Sequence, residues 1–128
     1  MAKPAHILVV DDESNCAWAL AYLLTHKGYR VSTAGDGLAA LELFAADPAD
    51  VVVTDLRMPH CDGTELIRRL RRDTTNLPII VMTGYVPFGE ETTIDDEQLV
   101  VMKKPVDVKV LLETLQEMIG TAGRRLPL

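Results

Sequence analysis

The sequence predicts an α/β domain: a parallel sheet of five strands with helices on both faces. Three observations predict it. Short apolar runs rich in β-branched residues alternate with longer segments of helical periodicity. The central runs are continuously apolar rather than alternating, as strands buried on both faces are. Polar residues gather where the runs stop, as expected when parallel strands end along one shared edge. A length of 128 residues fits one domain with a single core.

Each element follows in order. "HILVV" (6–10) is a buried strand. Ser14 is placed to cap the next helix, where Ala17, Leu20, Ala21 and Leu24 recur at helical spacing until Gly28 ends it. "RVSTA" (30–34) is more polar and reads as an edge strand. Leu38, Leu41, Phe44 and Ala45 mark a second helix, closed by Asp47-Pro48. "DVVVTD" (50–55) is a third strand. Thr64 to Arg72 is a helix with Leu66, Ile67 and Leu70 inward and a basic outer face. "LPIIVMT" (77–83) and "QLVVM" (98–102) are the fourth and fifth strands. The last helix carries Val108, Leu111, Leu112, Leu115 and Ile119 on one stripe, and 120–128 is expected as a frayed tail or the start of a linker.

The strand ends carry the chemistry. Strand one ends in Asp11 and Asp12, strand three in Asp55, strand four in Thr83, and strand five in Lys103-Lys104-Pro105. Three carboxylates brought together do not all stay ionised without a cation. A hard divalent ion with oxygen ligands resolves the repulsion, and Mg²⁺ uses one or two carboxylates, keeps waters and accepts phosphate oxygens. A hydroxyl at Thr83 and an ammonium at Lys104 suit the oxygens of a transferring phosphoryl group. A central carboxylate not needed by the metal is a candidate nucleophile, and Asp55 holds that place if strand three lies beside strand one.

Composition narrows the function class. The formal net charge is −6, against a nucleic-acid binder's basic surplus. Cys16 and Cys61 fit no zinc or redox spacing and read as free thiols in a reducing cytosol. The apolar N-terminal stretch is too short for a signal peptide or a membrane span, and no other segment is long enough to cross a bilayer. The expected location is the cytoplasm.

The motifs "ILVVDDE", "VVVTDLRMPHCDG", "PIIVMTG" and "KKP", in that order, closely resemble the receiver domain of two-component response regulators over residues 5 to about 119. The resemblance implies a single receiver domain: a doubly wound, flavodoxin-like sheet in the order 2-1-3-4-5. It implies Asp55 as phosphoacceptor, Asp12 as a direct metal carboxylate and Asp11 as one acting partly through water. The Arg57 backbone carbonyl completes the metal shell, Thr83 is the switch hydroxyl, and Lys104 pairs with the acceptor from before a cis bond to Pro105. Pro59 and Gly63 shape the loop after strand three, and Gly84 leaves Thr83 space to move. The implied activity is transfer of a phosphoryl group, with Mg²⁺ bridging, from a phosphohistidine or small donor to Asp55. The chain would act not as an enzyme on others but in its own phosphorylation and autodephosphorylation. The implied partners are a sensor histidine kinase or histidine phosphotransfer protein and a downstream target; a homodimer stays open.

Two features depart from the family pattern. The usual Tyr or Phe three residues before the lysine is Val101, which has no ring to swing. The segment "VPFGEETTIDDEQ" (86–98) holds Glu90, Glu91, Asp95, Asp96 and Glu97 with no basic residue, so the fourth helix is expected to be short or irregular. Tyr85 lies near enough in sequence to cover the site but does not replace the aromatic.

Plainer readings stand beside these. Arg68, Arg69, Arg71 and Arg72 read as a solvated helix face and last turn, where positive charge suits the helix dipole. Lys103 reads as solvated, Cys61 as a spectator, and Trp18 with Tyr22 as rim packing on the first helix. His6, His26 and His60 are too scattered for a metal site. The main rival function is a receiver-like interaction module without phosphotransfer. A phosphatase with an aspartyl nucleophile would need an acid where Arg57 stands, and a flavin carrier would need a Ser/Thr/Gly-rich phosphate loop after strand one.

Overall fold

The computed structural model describes residues 4–56, 63–74, 76–84 and 98–124. Five strands form one parallel sheet: β1 (His6–Val10), β2 (Arg30–Ala34), β3 (Val51–Asp55), β4 (Ile79–Thr83) and β5 (Leu99–Lys103), in the order β2-β1-β3-β4-β5. The described helices are α1 (Ser14–His26), α2 (Gly37–Ala46), α3 (Gly63–Asp73) and α4 (Val108–Arg124). The expected fourth helix, over 86–98, lies almost wholly outside the described residues.

Strand alternation sorts the core into two layers. Leu8, Val10, Val52, Ile79 and Val81 face α2 and α3, where they meet Ala40, Leu66, Ile67 and Leu70. Ile7, Val9, Val51, Val53, Ile80 and Met82 face the other way, against Ala17 and Leu24 of α1 and Leu111 and Leu115 of α4. The edge position of β2 matches its polar sequence.

Several boundaries differ from the sequence expectation, each for a local reason. Ser14 does not cap α1. The cap position is Glu13, whose N–H is held by Asp11 Oδ1 at 2.9 Å, so the turn closes one residue earlier and makes no side-chain cap bond. β4 starts at Ile79 rather than Leu77 because Pro78 has no N–H for the ladder, although its carbonyl accepts from the Val52 N–H at 3.1 Å. On α2 the buried positions are Gly37 and Ala40, while Leu38 and Ala45 lie exposed, because that helix covers the short polar edge of the sheet. Val108 is also exposed, at the first residue of α4. The α4 backbone continues through Gly120 to Arg124, into the stretch expected as a tail, because a nucleated helix extends at little cost. Gly28, at φ +99°, ends α1 as expected.

One cap escaped the sequence reading. Asp36 precedes α2 in extended backbone and its Oδ1 accepts the Ala39 N–H at 2.8 Å. Asp36→Ala should cost about 1 kcal/mol, read as a lower urea midpoint at unchanged m-value.

Candidate functional site at the carboxyl edge of the sheet

β1 pairs with β2 on one side and β3 on the other, so the chain leaves β1 at the point where the winding reverses. Asp11 sits just past β1, its N–H donating to the Ala34 carbonyl at 3.0 Å. Asp55 is the last residue of β3, beside Met82 of β4. Thr83 ends β4, and its carbonyl accepts the Lys104 N–H at 2.8 Å, which extends the β4–β5 ladder by one residue. Lys104 precedes Pro105 across a cis peptide bond, and Lys103 points to solvent.

The fold brings the expected acids together. One carboxylate oxygen from each of Asp11, Asp12 and Asp55 lies within 4.8 Å of the others, the single such acid, histidine or cysteine cluster among the described residues. Asp11 is buried, Asp55 is 13% exposed and Asp12 faces solvent. Lys104 Nζ lies 2.7 Å from Asp55 Oδ2 and 3.6 Å from Asp11 Oδ2. Among the described residues, one ammonium spans two of the three carboxylates. The donor set is all hard oxygen with mixed burial, which fits a small divalent cation that keeps some of its waters.

The electrostatics follow. Burial pushes the Asp11 carboxyl above its ordinary value; the Glu13 N–H and Lys104 pull it back, while Asp55 and Asp12 push it further up. Burial disfavours the Lys104 ammonium, but the hydrogen bond to Asp55 and the nearby Asp11 charge outweigh it and hold the pKa above the usual lysine value. With a raised folded pKa, Asp11 favours the fold most below its unfolded value, and that contribution is lost as pH rises through the folded value. At neutral pH the ionised Asp11 thus strains the metal-free fold. Asp11→Asn keeps an oxygen for the Glu13 N–H and should melt a few degrees higher than wild type in EDTA at pH 7, with the gain vanishing below about pH 4.

The remaining expected residues are placed as follows. Thr83 is buried at the neighbouring strand end. A Cβ at Gly84 would meet no described residue within 4 Å. Val101 is 54% exposed on β5, opposite Val81. Arg57, Pro59, His60, Cys61 and Tyr85 lie outside the described residues. His6 is buried, its ring held by the Pro48 carbonyl and Ser32 Oγ in a structural network away from the acids. Arg68 and Arg69 both pair with Glu65 on a solvated helix face, whereas Arg71 departs from the expectation: it is half-buried and its guanidinium donates to the Leu77 carbonyl. Trp18 and Tyr22 stack at 5.4 Å on the exposed side of α1.

Two contacts were not anticipated. Gly63 packs so tightly under the end of β3 that a Cβ there would lie 2.4 Å from the Asp55 carbonyl oxygen, and its N–H donates to Leu56 O at 2.8 Å. Thr54 Oγ1 donates to the same Asp55 carbonyl at 2.9 Å. The available signal was a lone hydroxyl closing the apolar run "VVVT".

The model for the response regulator receiver domain matches residues 7–116. The chain belongs to the response regulator receiver domain family. It is 37% identical over 117 residues to response regulator MprA of Mycolicibacterium vanbaalenii, covering 91% of this chain and 51% of that protein. The chain thus spans about half the length of this curated relative. A receiver domain protein from Clostridium thermocellum superposes with a TM-score of 0.86 at 28% identity, covering 95% of this chain and 99% of that one. The receiver domain of the hybrid histidine kinase CckA does so with a TM-score of 0.75 at 29% identity, covering 88% and 97%. Both likenesses extend over most of the chain. Among its described residues, no helix is long and apolar enough to cross a membrane.

Proposed function

We propose that this receiver takes a phosphoryl group onto Asp55 from a phosphohistidine of a sensor kinase or histidine phosphotransfer protein, and that the charge gained switches a partner-binding face. The supporting observation is the position of Asp55: partly shielded, within a cluster of carboxylates, with the Lys104 ammonium at 2.7 Å. Asp12, Asp11 and Asp55, with the Arg57 backbone carbonyl, would hold Mg²⁺. Bound there, Mg²⁺ supplies positive charge against the phosphoryl oxygens. An Asp55 carboxylate oxygen attacks phosphorus as the bond to the donor nitrogen breaks. Lys104 then faces the new oxygens, and Thr83 turns its hydroxyl toward them. In a separate step, water attacks the phosphorus and the bond to the Asp55 oxygen breaks, releasing inorganic phosphate and the free carboxylate, so the domain takes part in its own dephosphorylation. A mainly apolar groove of about 580 Å³ between α1 and the start of α4, lined by Leu20, Leu23, Met82 and Leu111, opens beside Asp11 and Lys104. It gives the donor protein a place to dock. The setting that fits this role is the cytoplasm.

The test is an intact-mass spectrum after incubation with acetyl phosphate. One phosphoryl group should be gained, with Mg²⁺ required and Asp55→Asn inert. Mg²⁺ alone should raise the melting temperature of wild type and leave Asp11→Asn unmoved. The exposed Val101 favours a second reading, an interaction module with no effective phosphotransfer. Failure of wild type to gain mass under every condition would select it.

A further inference from the structure

We infer that Thr54 is a positioning residue for phosphoryl transfer, its buried hydroxyl fixing the peptide that carries the acceptor carboxylate. The inference rests on the reading of Asp55 as phosphoacceptor and deepens it.

The strand sequence makes Thr54 conspicuous. Val51, Val52 and Val53 are fully buried, and so is Thr54. It lies between Val10 of β1 and Val81 of β4, in the middle of the sheet. A hydroxyl there is costly unless it is bonded, and valine would fill nearly the same volume without that cost. The hydroxyl is bonded, and its acceptor is the carbonyl of Asp55.

That carbonyl is held from a second direction. Alternation puts the Thr54 side chain on the sheet face that carries α3. Gly63, the first residue of α3, comes so close that there is no room for a Cβ against Asp55 O. Its own N–H fastens the next carbonyl, that of Leu56. The peptide after Asp55 is therefore pinned by a hydroxyl and wedged by a helix start. The Asp55 side chain leaves the opposite face of the strand, where its Oδ2 meets Lys104 Nζ. Turning this peptide plane would swing the carboxylate relative to Lys104 and to the other two acids. Transfer to a carboxylate requires attack in line with the breaking bond, and small errors in that geometry cost rate rather than donor binding. Thr54 touches no reacting atom. It acts through the backbone of the residue that does.

The test uses full-chain Thr54→Val and Thr54→Ser, phosphorylated by acetyl phosphate with saturating Mg²⁺ and followed by intact mass, with melting temperatures measured alongside. Thr54→Val should show a maximal rate about tenfold or more below wild type, with the half-saturating donor concentration unchanged. Thr54→Ser, which keeps the hydroxyl, should stay within about threefold of wild type. If Thr54→Val does not fold, Thr54→Ala against Thr54→Ser gives the same contrast. A Val or Ala variant as fast as wild type would overturn the inference, as would Ser and Val slowing together in step with their melting temperatures. Wild-type protein that takes no phosphoryl group from the donor would overturn the phosphoacceptor reading itself, and the inference with it.

Discussion

Replacing Gly63 with alanine lowers the thermal midpoint by roughly 10 °C, because the new methyl costs about 3 kcal/mol in a wedge that cannot open cheaply. The atoms it meets are backbone: Asp55 O at 2.4 Å, Leu56 Cα at 2.8 Å and Leu56 O at 3.1 Å. No side chain can rotate away, so either α3 withdraws or the end of β3 bends. Both movements reach Asp55. The phosphorylation rate should therefore fall even at a temperature where the variant is fully folded. A midpoint within about 2 °C of wild type would show that α3 leaves room for a methyl beneath the end of β3.

Among the described residues, Lys104→Met removes the ammonium that stands between Asp55 and Asp11. The methionine stem keeps much of the packing, so the loss is mainly electrostatic. Breaking this partly buried pair should cost about 2 kcal/mol in metal-free protein at pH 7. The pH dependence has a definite sign. Lys104 has a raised folded pKa, so its contribution is fully present below the unfolded lysine value and is lost as pH rises through the folded one. The wild-type advantage over Lys104→Met should thus shrink at strongly alkaline pH. At the acid end the Asp11 pKa, no longer lowered by Lys104, moves further up, and neutralising the acids removes the penalty. The two proteins should converge there too. Saturating Mg²⁺ should restore part of the variant's stability, since the cation replaces the missing charge. If Lys104 faces the transferring oxygens as proposed, Mg²⁺ should not restore the phosphorylation rate, which then falls about a hundredfold with the loss of a preorganised donor. Unfolding curves in EDTA and in Mg²⁺, from acid to alkaline pH, together with donor kinetics, check each statement.

Much of this fold was legible because its signals are local. β1 and β2 matched residue for residue, since "HILVV" and "RVSTA" are each bounded by residues that stop a strand. The acids were legible as a site because a parallel sheet puts every strand C-terminus on one edge, so adjacency in space followed from position in sequence. The order β2-β1-β3-β4-β5 came from family resemblance, since strand periodicity does not say which strands pair. Boundaries were less legible. Ser14 is a good cap by residue type, yet the Asp11 carboxylate set the start of α1, and that contact depends on how the chain turns after β1. Leu38 and Ala45 fit a helical stripe, but the width of the covered sheet decided how much of α2 was buried.

The sequence by itself determined the fold class and the gathering of Asp11, Asp12, Asp55 and Lys104 at the carboxyl edge of the sheet. Those follow from period, composition and strand ends, which one chain segment carries alone. Only the tertiary structure decided that Lys104 Nζ stands 2.7 Å from Asp55 while Asp11 is buried at 3.6 Å, and that α3 leaves no room for a Cβ against the Asp55 carbonyl. Those are distances between segments remote in sequence. They are set by packing of the whole sheet and its helices, where a shift of one ångström changes both the charge balance and the reach of the Asp55 carboxylate.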